Sequence, residues 1–166
     1  MKNKLKDPIY VDRMRYTKNT RSSMLCYLSI LFDVFYFVNI YSSDVGSWYY
    51  NILVGGSIVY NLLFMLFVFL ASEGVKNYVK VYSYVLMAIG ALQFGRMCIL
   101  PLKAMNAEIV ISGAQTLVMS RQQGTYALIW LALSAVCLIA AAVINMVKCF
   151  ALKSLAKENS EAKSNV

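Results

Sequence analysis

QQGTYALIWLALSAVCLIAAAVINMV, residues 122–147, runs for 26 positions without one charged side chain. A bilayer core about 30 Å thick is crossed by roughly 20 helical residues, so this stretch is long enough to span it. Backbone N–H and C=O groups cannot stay unpaired in hydrocarbon, and the alternating pattern of a lipid-facing barrel strand is absent, so the stretch reads as a helix. Three other segments pass the same test: 22–43 with one charge (Asp33), 45–72 with none, and 81–102 with one (Arg96). The expected fold class is an all-α membrane protein, a four-transmembrane-helix bundle.

Composition agrees. The chain has 166 residues, 60% hydrophobic and 14% charged, against about 25% charged in soluble domains. Intrinsic disorder needs the opposite balance and is excluded.

The 16 lysines and arginines give a net charge of +8. Their placement assigns the excess to topology: seven precede the first span, two lie between the second and third, four follow the fourth, and two (Lys103 and Arg121) lie in the link before the fourth. Cytoplasmic loops carry such excess, so both termini are expected in the cytoplasm of a plasma or bacterial inner membrane. Tyr41, Trp48, Tyr49, Tyr50 and Tyr126 fall at the outer span ends, and Tyr16, Tyr78, Tyr82 and Phe150 at the inner ones. Arg13, Arg15, Lys18 and Arg21 are candidate contacts to anionic inner-leaflet lipid headgroups. No basic run is interleaved with stacking aromatics, so nucleic acid is not an expected partner.

Three parts follow: a basic cytoplasmic segment over 1–21, the membrane domain over 22–147, and a basic tail over 148–166. Asp7-Pro8 suits a helix start, so a helix over about 8–18 on the inner leaflet is favoured slightly over a solvated tail. The polar stretch 153–166 reads as the fourth helix fraying into disorder. The link 103–121 is either a small hairpin about Ser112-Gly113 or an outward extension of the fourth helix. Ser120-x-x-Gln123 fits a capping box opening the fourth span.

Four cysteines without C-x-x-C spacing and no histidine at all exclude His-ligated haem, His-based triads and common zinc sites. No nucleophile stands beside a credible base, so no enzymatic activity and no cofactor is expected. Gly55-Gly56-Ser57 lacks the context of a phosphate loop and reads as a packing notch.

Charges near the bilayer middle mark functional sites or structural pairs. Asp33 lies near the midplane of its span and Arg96 in the outer half of its own, about 6 Å apart in depth at 1.5 Å per residue. A long arginine can cover that gap. Polar rows at helical spacing indicate inward faces: Cys26, Ser29, Asp33 and Tyr36; Tyr50, Val54, Ser57 and Asn61; Gln93 with Arg96; and Ser134, Ala141 and Asn145. Tyr84, Ala88, Ala91 and Gly95 form a smooth neighbouring groove, expected to allow close backbone approach within the bundle.

Asp33, Arg96, Gln93 and Asn61 are thus the candidate intramembrane polar network. A closed structural network is the leading reading, because a cation beside Asp33 favours the charged carboxylate and opposes the proton cycling of a coupled carrier. The expected role is a non-enzymatic accessory or scaffold subunit of a larger membrane assembly, with a membrane protein partner or a second copy. The alternative is a homodimeric cation- or proton-coupled transporter using Asp33. In its four helices and its acid on the first, the chain is similar to small multidrug carriers. It departs from them in its greater length, its basic N-terminal segment and its Asp in place of their Glu.

Overall fold

The computed structural model describes residues 8–41, 53–99, 101–106, 108–111, 114–117 and 119–164. These form a short helix α1 (Pro8–Met14) and three long helices α2 (Thr20–Tyr41), α3 (Leu53–Lys76) and α4 (Lys80–Ile99). A one-turn helix α5 (Pro101–Met105), a hairpin of β1 (Glu108–Ile111) and β2 (Ala114–Leu117), and the 44-residue helix α6 (Arg121–Ser164) complete the order. The long helices close a ring in which α6 packs on α2 and α4, α2 packs on α3, and the α3–α4 side is the thinnest.

Among the described residues three helices are long and apolar enough to cross a membrane, over Thr20–Ile40, Ile58–Lys76 and Arg121–Glu161, as in an integral membrane protein. α4 is not among them. Gln93 and Arg96 fall within its 20 residues and lower its apolarity.

Apolar side chains such as Phe64, Val68, Leu86 and Leu138 fill the interior, but many more cover the outside, and polar ones share the core. Leu31, Phe35 and Val38 on α2, Leu62, Leu66 and Phe67 on α3, and Leu133, Val136 and Val143 on α6 are exposed. Ser22, Ser29, Asp33, Asn61, Ser83, Gln93, Ser134 and Asn145 are buried. Outer surfaces that apolar are stable only against an apolar solvent.

Local chemistry sets the helix ends. Ser120 Oγ accepts the Gln123 N–H at 3.2 Å and opens α6, which is half of the capping box. The returning half is diverted, because the Gln123 amide donates to Asn39 O at 2.6 Å while Asn39 Nδ2 donates to Gln123 O at 3.0 Å. That reciprocal clasp ties the far end of α2 to the start of α6. At the other end, α3 stops in a Schellman turn: Val79 N–H reaches Gly74 O at 3.1 Å and Tyr78 N–H reaches Val75 O at 3.2 Å. The residue in the left-handed position is Tyr78, at φ 57°, where glycine is usual.

Several expectations need correction. The stretch 153–164 is helical and continues α6. Nothing after Gly124 breaks a helix there, Ala, Leu, Lys and Glu favour one, and Lys157 pairs with Glu161 one turn on at 3.6 Å. α1 ends at Met14, earlier than expected, and buries Val11 and Met14 while packing on α6, where Leu155 is buried. Of the two readings left open for the link before α6, the structure has the hairpin, with Ile111 opposite Ala114 and Glu108 opposite Leu117. Among the described residues Gly56 meets no neighbour within 4 Å, so no close approach is seen at that position of the Gly55-Gly56-Ser57 run.

The groove of small residues on α4 is also turned the other way. Tyr84, Ala88, Ala91 and Gly95 are exposed, while Ser83, Leu86, Gly90 and Gln93 face the bundle. The close approach is at Gly90, where a Cβ would lie 3.0 Å from Ile139 Cγ1 and 3.5 Å from Ala135 O on α6. Asp7, residues 42–52 with Trp48, Tyr49 and Tyr50, and the side chains of Val54 and Ser57 lie outside the described residues.

Candidate functional site: a buried polar quartet

The α2 row Cys26, Ser29, Asp33 and Tyr36 is fully buried, each residue at 0% exposure. Spacings of three and four put all four on one face of the helix, and Asp33 is the charge on that face. Gln93 and Arg96, three apart on α4, face it from one side, and Asn61 faces it from α3.

The structure brings these four residues together. Arg96 Nη1 donates to Asp33 Oδ1 at 3.2 Å, Arg96 Nη2 donates to Asn61 Oδ1 at 2.5 Å, and Gln93 Nε2 donates to Asp33 Oδ1 at 3.1 Å. One guanidinium therefore bridges α2, α3 and α4, including the thin α3–α4 side. Its carbon lies 4.4 Å from the Tyr36 ring centre and 4.7 Å from that of Tyr60, so two phenol faces add cation–π attraction to the ion pair. The Arg96 side chain is 10% exposed and that of Asp33 is 0% exposed. At such burial each charge relies on the other, because a lone ion out of water is strongly disfavoured.

The quartet does not use all its hydrogen-bonding capacity. Asp33 Oδ2, Gln93 Oε1 and Asn61 Nδ2 have no partner among the described residues. The other atom of each group is engaged, which fixes the amide orientations, so two acceptors and one donor remain. Eight residues separate Asp33 from the end of α2 and Asn61 from the start of α3, about 12 Å in each case. Both therefore sit at one depth, and Arg96, in the last turn of α4, extends toward them.

Below the quartet α2 and α6 are joined by polar bonds. Ser29 Oγ and Ser134 Oγ are 2.8 Å apart, and Ser22 Oγ donates to Ala141 O. Beside the quartet, Phe32 and Phe35 pack on Trp130 with ring centres 5.8 and 5.1 Å away.

A second polar cluster lies at the opposite end. Asn145 Nδ2 donates to Ser83 Oγ at 2.8 Å and to Val79 O at 3.2 Å, and Asn145 Oδ1 accepts from Asn19 Nδ2 at 3.0 Å. Asn19 Oδ1 accepts from Lys148 Nζ at 2.7 Å, and Cys149 Sγ–H donates to Tyr78 O at 2.9 Å. The sequence reading places Asn145 on an inward row but passes over Asn19, Ser83 and the buried Lys148. The available signal is spacing, since Lys148 follows Asn145 by three residues and so shares its face. A lysine just past an apolar run otherwise reads as a solvated end.

The four basic residues assigned to lipid headgroups are all exposed: Arg13 on α1, Arg15 and Lys18 between α1 and α2, and Arg21 in the first turn of α2. Arg15 lies 3.7 Å from Asp12. Among the described residues no group of three His, Cys, Asp or Glu side chains is placed to hold a metal ion. Comparison with protein-family models, with curated proteins and with solved structures finds no match for this chain.

Proposed function

We propose that this protein is a four-span membrane bundle with both termini in the cytoplasm, acting without catalysis as an accessory or scaffold subunit of a larger membrane assembly such as a transport complex. In this reading α4 is the fourth span, its two polar side chains turned inward, and the host is a plasma or bacterial inner membrane. The observation that carries the proposal is the use of Asp33: its Oδ1 is bound by both Gln93 and Arg96, and Arg96 is packed between two tyrosine rings. A carboxylate neutralised in place fixes the register of three helices, and a structural part needs that more than a carrier does. The exposed small residues Ala88, Ala91 and Gly95 would let a helix of a partner or of a second copy approach α4 closely.

Purification of the full chain in mild detergent, with co-purifying proteins identified by mass spectrometry, tests the proposal. A stoichiometric membrane partner or a stable homo-oligomer is the expected result. A monodisperse monomer without partners overturns it.

The second reading, a dimeric cation- or proton-coupled carrier, draws support from one atom, Asp33 Oδ2, which has no partner among the described residues. It requires flux into liposomes that disappears in Asp33→Asn. Flux unchanged by that substitution removes Asp33 from any transport step.

A further inference from the structure

Lys148 is 9% exposed, an unusual degree of burial for a lysine. Its ammonium has three N–H donors, and the described contacts are one bond to the neutral Asn19 amide and the face of the Tyr78 ring at 5.9 Å. Among the described residues no carboxylate pairs with it. Glu73, on the last turns of α3, is held by Lys76 at 2.7 Å. Arg21 adds repulsion instead of relief. A half-satisfied cation is thus buried with a second cation, Arg21, acting on it, and a negative charge brought there would interact favourably with both.

Depth and surroundings identify the source of that charge. Lys148 is 27 residues beyond Arg121 on the same helix, about 40 Å along it, which exceeds the roughly 30 Å hydrocarbon core and reaches headgroup level. Exposed Met24 on α2 and Val143 and Val147 on α6 lead from this level along the apolar outer surface. A phosphate attached to acyl chains fits both the charge and the apolar lane, whereas free phosphate fits the charge alone.

We propose that this end of the bundle binds the phosphate of an anionic phospholipid, with Lys148 as the buried anchor and Arg21 as the exposed arm. The site rests on the bundle being embedded in a bilayer and is independent of the accessory role.

The test uses the full chain in lipid discs of phosphatidylcholine with and without phosphatidylglycerol, reading thermal melting and the lipid retained on extraction. Phosphatidylglycerol should raise the melting temperature and be retained by the wild type. Retention should fall about fivefold in Arg21→Gln, the effect of one basic residue near an anionic surface, and further in Lys148→Met. The exposed Lys157→Gln should behave as wild type. Equal retention in Arg21→Gln and wild type overturns the site even if Lys148→Met fails to fold. An equal melting shift from inorganic phosphate in pure phosphatidylcholine overturns the lipid assignment. Recovery of the protein in solution without detergent would overturn the embedding itself, a failure distinct from loss of lipid discrimination.

Discussion

Asp33 and Arg96, 63 positions apart in sequence, meet at 3.2 Å in the interior of the bundle, and Asn61 and Gln93 hold the pair from its flanks. Charges in such a place are costly singly and tolerable together. Arg96→Leu alone leaves the Asp33 carboxylate buried without its cation and should cost about 3–5 kcal/mol. Arg96→Leu combined with Asp33→Leu removes both charges and should cost less than either single change. Thermal or denaturant unfolding in detergent measures this, and equal losses that simply add would show that the two charges do not interact.

Two glycines on α4, five residues apart, should respond oppositely to alanine. A methyl group at Gly90 meets Ile139 at 3.0 Å, so Gly90→Ala should destabilise by about 1–3 kcal/mol, in part reversed by Ile139→Val. Among the described residues nothing stands within 4 Å of a methyl at Gly95, so Gly95→Ala should be neutral or stabilise by up to about 1 kcal/mol through helix propensity. Melting temperatures of the three variants decide it. A Gly95→Ala loss as large as that of Gly90→Ala would mean that the outward face of α4 is covered.

Tyr78 occupies a left-handed backbone position that costs most side chains about 1–2 kcal/mol. Its ring offsets that cost by packing beside Lys148, and burial pushes its hydroxyl above the usual tyrosine range. Tyr78→Ala loses the ring and keeps the strain, whereas Tyr78→Gly loses both. Tyr78→Gly should therefore be the more stable of the two by about 1 kcal/mol. The reverse order would mean that the turn does not hold this conformation.

Asn39 and Gln123 each bond to the other's backbone carbonyl, so neither bond needs the partner's side chain. Asn39→Ala and Gln123→Ala should each cost about 1 kcal/mol, and the double variant should show the sum to within roughly 0.5 kcal/mol. A coupling well above that in a double-mutant cycle would show that the two amides contact each other directly.

Properties that depend on neighbours along the chain were legible before any folding. The apolar runs are long enough for helices, the cations mark their ends, and the rows through Asp33 and Asn145 repeat at the helical period, so α2 and α6 announce their inward faces. Ser120 likewise signals the start of α6. α4 carries two rows on nearly opposite faces, Ser83-Leu86-Gly90-Gln93 and Tyr84-Ala88-Ala91-Gly95, each holding small or polar residues, and periodicity cannot choose between them.

The choice was made in three dimensions. Gln93 and Arg96 had to reach Asp33 and Asn61, and only Gly90 leaves room for Ile139, so the second row was turned outward. Lys148 was settled in the same way. Its place in the sequence makes it a span-end cation, and its burial arises because the chain entering α2 sets Asn19 against it while the α3–α4 turn lays Tyr78 beside it. Local sequence can specify that a segment is helical and which rows are polar, because those follow from the period of one helix. Which polar row becomes interior depends on partners up to 129 positions away, and only packing brings them within reach.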